Sequence, residues 1–396
     1  MGRLIILLPA ALIALLAGCG GGGSDFGSST TSSSGGNTIA GSGSNVAPIT
    51  VDSGPSQNSV NTAYVSVTVC TPGSTSSCET IDHIEVDTGS YGLRILASAL
   101  PSNFALPQEN DASNNPVVEC TIFADGISWG PVVNADVHIA GESAASQSVQ
   151  IIGSSTFPTP PAECSSHGPT EDTVLQFGAN GIIGVGPFVQ DDGDYYTCPQ
   201  GVCSQTTPTT NLEVANPVAS FAGDNNGVIV ELPTVGASGA DTLSGSLVFG
   251  IGTESNNSLG NATVYGVDPS DGNLTVTYNN VTFDQSFVDS GSNANYFVDS
   301  SIPTCSSGFF CPTATLSLQA TIMGTNSANA TVDFSVANAD SLFDSNPTGV
   351  AFVNLAAPNM LSDSFDWGLP FFYGRNVFTA IAGQSTAGGD GPYVAF

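Results

Sequence analysis

The sequence predicts an all-β protein built as two lobes, and three observations carry that expectation. From Ala63 onward the chain alternates apolar and polar residues (Tyr64, Val65, Val67 and Val69 against Ser66 and Thr68), and this β-branched, glycine- and asparagine-punctuated texture continues to the end. Helical periodicity is confined to two short stretches, Ala97 to Leu100 and Asn211 to Phe221. A five-residue pattern, Val86-Asp87-Thr88-Gly89-Ser90, recurs in the second half of the chain as Val288-Asp289-Ser290-Gly291-Ser292.

Taken in order, the chain opens on Met1 to Leu16, one basic residue (Arg3) followed by an apolar run too short for a comfortable membrane span, ending in Leu16-Ala17-Gly18-Cys19. This resembles a bacterial lipoprotein signal over residues 1–18, with cleavage before Cys19 and lipid on its thiol. The resemblance places the protein in the cell envelope, touching a membrane only through that anchor. Residues 19–48 are almost entirely Gly, Ser, Thr, Asn and Ala, with the single aromatic Phe26, and are expected to form a tether. The body divides into a first lobe over 49–236 and a second over 237–396, with the boundary at the Gly/Ala/Ser-rich stretch Val235 to Ala240.

Composition narrows the function. Lys and Arg together number three against 34 Asp and Glu, giving a formal charge of −31. Arg3, Arg94 and Arg375 cannot make the basic patch that nucleic acid or an anionic membrane surface requires. Of nine cysteines, Cys19 is set aside and eight remain. Cys70 with Cys78, Cys198 with Cys203, and Cys305 with Cys311 are near neighbours suited to small loop staples, which leaves Cys120 with Cys164. No histidine stands beside them at zinc-site spacing, so no metal is assigned. Asp191-Asp192-Gly193-Asp194 lacks the distal Glu of a calcium loop, and none of His83, His138 and His167 follows a nucleophile elbow.

The repeated motif has a definite chemistry. Glycine lets backbone approach closely, the hydroxyls can hydrogen-bond carboxylate oxygens, and the preceding apolar strand holds the aspartate at fixed depth. Two copies face to face would put Asp87 beside Asp289. Adjacent carboxylates cannot both ionise, so the pair shares a proton, one member acting as base on a water and the other as acid.

On these residues the chain resembles the pepsin-like aspartic peptidases. Gly181-Ile182-Ile183-Gly184-Val185-Gly186 is similar to the strand that family sends behind its first loop. Gly245 to Gly250 is similar to the hairpin opening its second lobe, and Trp367-Gly368-Leu369-Pro370-Phe371-Phe372 with Val377-Phe378-Thr379 to its closing strand. The same ending also resembles an uncharacterised family of bacterial secreted proteins. The resemblance implies a bilobal acid-protease fold of two β-barrel-like lobes and an aspartic endopeptidase acting on an extended peptide or protein in the interlobe cleft, as a monomer without cofactor. Asp87 and Asp289 would be catalytic, Ser90 and Ser292 would orient them, and Thr88 and Ser290 would brace the loops beside Gly89 and Gly291. The run Val117 to Ile139, turning at Ala124-Asp125-Gly126, would be the flap. Phe123 stands where that family carries a tyrosine, and Trp129 is the candidate to serve in its place. Arg94 falls where the family often has tryptophan. A pepsin-fold protein that binds without cutting is the alternative function. A stapled β protein with no cleft is a third reading, in which Asp87 and Asp289 would lie far apart.

Overall fold

The computed structural model describes residues 37–191 and 193–396. The signal segment, Cys19 and the tether up to residue 36, together with Asp192, lie outside the described residues.

The body is almost wholly β, as its alternating texture requires. Its longest described helix is the two-turn segment Ala339–Ser345, capped by the Asn338 side chain accepting from Ser341 N. The two predicted helical stretches are 3-10 turns, Ala97–Ala99 in the first and Thr210–Leu212 and Pro217–Ser220 in the second.

Two sheets carry the two motif loops. The first, of fifteen strands, contains Cys78–Asp87, which runs into the first loop. The second, of seven strands, contains Val281–Val288, which runs into the second. Each loop is framed identically. In the first half, Gly181–Val185 lies between the strand that enters the loop and the strand that leaves it, parallel to Cys78–Asp87 and antiparallel to Tyr91–Leu96. In the second half, Asp366–Trp367 is parallel to Val281–Val288 and antiparallel to Asn295–Phe297. A strand threaded between the two arms of its own loop, occurring once in each half, makes the molecule bilobal by topology.

The lobes share backbone. Val46–Val51 pairs on one edge with Leu243–Phe249 and on the other with Ala63–Cys70, and the sheet continues through Gly227–Leu232, Arg375–Ala380 and Tyr393–Ala395. Side chains add a second seam: buried Asn61 donates to Asn293 O and Phe352 O and accepts from Phe352 N and the Tyr373 hydroxyl. One continuous apolar core runs beneath both loops, from Ile49 and Val65 through Ile183 and Val288 to Trp367.

The packed chain begins earlier than composition predicts. Residues 37–48, read as tether, lie on the body: Asn37 Nδ2 donates to Leu232 O (3.1 Å), Ala40 N to Glu231 Oε2 (2.6 Å), and Ala47 is buried in the core. The Asn37 side chain and the Ala40 backbone N–H bind partners on a remote strand while Val46 and Ala47 enter apolar clusters, contacts that the Gly/Ser-rich composition of the stretch does not announce. The eight remaining cysteines form the four expected bonds, 70 with 78, 120 with 164, 198 with 203 and 305 with 311.

Candidate active site

The two motif loops meet at the centre of the molecule, held there by a reciprocal set of hydrogen bonds. Thr88 N donates to Ser290 Oγ (3.1 Å) and Ser290 N to Thr88 Oγ1 (2.9 Å). Each hydroxyl then donates back to the opposite strand, Thr88 Oγ1 to Val288 O (3.2 Å) and Ser290 Oγ to Val86 O (2.7 Å). Four buried bonds thus tie each loop to the other, and each side chain serves the half it does not belong to.

This bracing brings the carboxyl groups of Asp87 and Asp289 within hydrogen-bonding reach of one another. Both residues are 3% exposed. The motif glycines are what permit the approach. A Cβ on Gly89 would lie 2.6 Å from Asp289 Cγ, and one on Gly291 would lie 2.7 Å from Asp87 Oδ1. Each carboxyl also receives a matched pair of donors. Asp87 accepts from Gly89 N (2.7 Å) and the Ser90 hydroxyl; Asp289 accepts from Gly291 N (2.8 Å) and the Ser292 hydroxyl (3.1 Å). The reading without a cleft, which needs the aspartates apart, is excluded by this geometry.

Electrostatics follow from burial. The Asp289 carboxyl is held well above the usual carboxylate range, first by desolvation, next by the charge of Asp87, then by that of Asp366. Such a pair titrates as a unit and keeps one proton into a range where an exposed aspartate has none. The arrangement can therefore offer a base and an acid to one trapped water.

The predicted flap is a hairpin, Val117–Ile122 with Ile127–Ile139, closed by Phe123 N donating to Gly126 O (2.8 Å). The charge of Asp125 at its tip is felt by the buried Tyr296 phenol of the second half. Gly126 packs against Pro169 and Glu171.

The two aromatic side chains assigned to this flap do not face a substrate. Phe123 is buried against Leu96, Ile152, Phe177 and Ile182, and Trp129 is enclosed by Cys120, Cys164 and Tyr196 with its indole N–H donated to Phe157 O (2.9 Å). Trp129 lies on a strand covered on both faces and Phe123 in the adjoining turn packs inward, so the positions that the resemblance nominates for a lid are filled here by core side chains.

Two residues at the site escaped the sequence reading. Tyr296 is fully buried, donates its hydroxyl to Asn293 Oδ1 (2.6 Å), and its phenol is pushed up by desolvation, then by Asp366, Asp125 and Asp289. Asp366, opposite Tyr296 in the strand register, is also buried and reaches Ser292. A carboxylate inside the apolar run Phe365-Asp366-Trp367 was the available signal.

Arg94 lies beneath the flap as a fully buried cation. Its guanidinium donates to Glu119 Oε1, Thr121 Oγ1, Tyr91 O and Asp191 Oδ2, so it ties the strand leaving the first loop to the flap strand. Burial opposes its charge, but Glu119 and Asp191 more than restore it. Asp191 is held well above the usual range, by burial and then by Glu119, with Arg94 only partly offsetting them. One guanidinium cannot neutralise two buried carboxylates.

Over residues 41–396 the chain matches the model of a family described as "Protein of unknown function (DUF3443)". No curated protein matches the chain. Among solved structures it is similar to the crystal structure of aspartic proteinase from Irpex lacteus, at 15% identity and a TM-score of 0.46, covering 88% of this chain and 96% of that one.

Proposed function

The chain belongs to the family described as protein of unknown function (DUF3443), and for this member we propose aspartic endopeptidase activity on extended peptide segments. The observation that carries the proposal is the pair of buried, adjacent carboxyls, Asp87 and Asp289, packed against the two motif glycines and each fitted with one backbone N–H and one serine hydroxyl. Geometry comes first in assigning acid and base, and the adjacent carboxyls with their matched donors support this assignment.

In the proposed mechanism a water sits between the two carboxyls. The ionised member takes its proton as the oxygen attacks the scissile carbonyl, and the protonated member gives its proton to that carbonyl's oxygen. On collapse, the carboxyl that took the water's proton gives it to the leaving nitrogen while the other carboxylate takes a proton from a hydroxyl of the tetrahedral intermediate, so the dyad ends as it began, with a single proton. Ser90 and Ser292 keep the carboxyl planes fixed, and the Thr88–Ser290 bracing keeps their separation. In this reading the hairpin at 117–139 would lift to admit substrate and re-close over it.

The working form holds one proton, so activity is lost as pH rises through the pair's upper apparent pKa. Cleavage of an unfolded protein should therefore be measured between about pH 3 and about pH 8. The expected result is an acid optimum abolished by a transition-state-mimicking inhibitor of aspartic peptidases. An alkaline optimum sensitive to serine reagents would overturn the proposal, and inhibitor binding without turnover would select the non-cutting alternative.

The proposal extends to location. Cys19 would carry lipid in the cell envelope, with residues 20–36 lying between the anchor and the described body. Cys19→Ser is expected to move the protein from the membrane fraction to the soluble fraction with hydrolysis unchanged. Retention in the membrane fraction would count against lipidation.

A further inference from the structure

A single hydroxyl stands between two buried carboxyls. Ser292 Oγ is 3.1 Å from Asp289 Oδ2 and 2.6 Å from Asp366 Oδ2. A serine hydroxyl has one proton to donate, and an ionised carboxylate has none. If both carboxyls were ionised, one of these contacts would set two acceptors against each other. One of the two must therefore supply a proton to Ser292.

The surroundings select Asp366. It is 3% exposed, and its Oδ1 has no hydrogen-bond partner among the described residues. Among the described residues no cation faces it: Arg94 is committed to Glu119 and Asp191, and Arg375 lies over the Phe371 ring and donates to Phe371 O. The titratable groups around it are Asp87 and Asp289 from the two loops and Tyr296 from the adjacent strand, with Asp125 of the hairpin tip acting on Tyr296. All of these are acids, so no neighbouring charge favours an ionised Asp366, and the Ser292 hydroxyl is the one described hydrogen-bond partner of its carboxyl. Asp289, by contrast, accepts a backbone N–H from Gly291.

We propose that Asp366 is a protonated carboxylic acid that donates to Ser292, turning the Ser292 proton onto Asp289, and so acts as a positioning residue for the dyad. The chain of donors runs Asp366 Oδ2–H to Ser292 Oγ, then Ser292 Oγ–H to Asp289 Oδ2. Donors linked in this way polarise one another, and the terminal carboxylate gains the benefit. The first half has no equivalent, since Ser90 is given no third carboxyl by any described hydrogen bond. If Asp366 loses its proton, Ser292 turns to it, Asp289 loses that donor, and a further negative charge joins the site. The site is thereby closed down by a residue that touches neither water nor substrate.

Burial is the leading cause that holds the Asp366 carboxyl well above its usual range, with Ser292 opposing and Asp87 reinforcing it. A folded-state pKa raised above the unfolded value contributes stability that is complete below the unfolded pKa and disappears as pH rises through the folded one. Asp366→Asn removes this contribution while its amide N–H can still donate to Ser292.

Two measurements on the full chain test the inference without using activity. Between about pH 5 and about pH 8 the melting temperature of the parent should fall more steeply than that of Asp366→Asn. Equal slopes would overturn the proposal. The parent should also show, near neutral pH, a protonated-carboxyl infrared band that moves in Ser292→Ala, a variant that leaves Asp366 in place. A spectrum unchanged by Ser292→Ala would overturn it even if Asp366→Asn failed to fold.

A third measurement rests on the peptidase reading. Asp366→Asn should keep kcat/KM within a few fold while its alkaline limb moves upward, and Asp366→Leu, which has no donor, should lose about tenfold, chiefly in kcat. Equal losses in both variants would mean packing alone. Absence of hydrolysis by the parent would fail the peptidase reading but leave the melting and infrared results to decide the state of Asp366.

Discussion

Replacing Asp87 with Asn is expected to lower peptide hydrolysis by about a thousandfold or more while leaving the fold intact, since a positioned acid–base group supplies about 10² to 10⁴ in rate and the amide exchanges no proton. The substitution is nearly isosteric, and the Asn Oδ1 can still accept from Gly89 N. The companion change, Asp289→Asn, separates catalysis from stability. The Asp289 carboxyl is held above its usual range by burial, next by the charge of Asp87 and then by that of Asp366, so its contribution to stability fades as pH rises through its raised pKa. An amide at this position has no charge to suppress. Asp289→Asn should therefore be inactive yet melt at least as high as the parent above neutrality. Cleavage rates with melts at about pH 5 and about pH 8 check both halves of the expectation. Substantial hydrolysis by either variant would remove the dyad from the mechanism.

Arg94→Ala is expected to be the most destabilising single substitution in the first lobe. It leaves Glu119 and Asp191 buried with no cation, and removing one partner of a buried ion pair costs about 3–5 kcal/mol. The cost depends on pH in a definite direction. Without the guanidinium nothing offsets the burial and the Glu119 charge that already hold the Asp191 carboxyl above its usual range, so the penalty grows as pH increases. Denaturant unfolding should show a larger loss near pH 8 than near pH 5 at an unchanged m-value. A loss that is small and independent of pH would mean that the cluster relaxes or admits water. Because Glu119 lies on a flap strand, proteolytic nicking at the 123–126 turn should also increase.

The two catalytic candidates were legible because a local rule and a global rule agree on them. Asp-hydroxyl-Gly flanked by apolar residues specifies a tight loop at the end of a buried strand, and its repetition specifies a partner. The serines and threonine of the motif were legible for the same reason. The third carboxyl was not. In sequence Asp366 breaks an apolar run, and nothing local says that Ser292 stands opposite it. Tyr296 escaped because a tyrosine in a strand is ordinarily a packing residue. Phe123 and Trp129 were assigned to a lid from the position of their hairpin, but alternation names an outward face only where one face is wet. Arg94 was noticed as an oddity, yet its acceptors lie on two other segments, and only the folded chain brings them together.

The crossed bracing of the loops has a consequence for how the chain can vary. Thr88 and Ser290 each satisfy backbone groups of the opposite half, so the hydroxyl at one position and the main chain at the other form a single heritable unit. A lesion at residue 88 is felt at 288–290, some two hundred residues away in the gene, and its natural compensation lies there and not among its neighbours. A half drawn from a divergent copy would bring its own hydroxyl but meet a foreign loop. Recombination between the lobes is constrained at this pair of loops, however freely the surface strands drift.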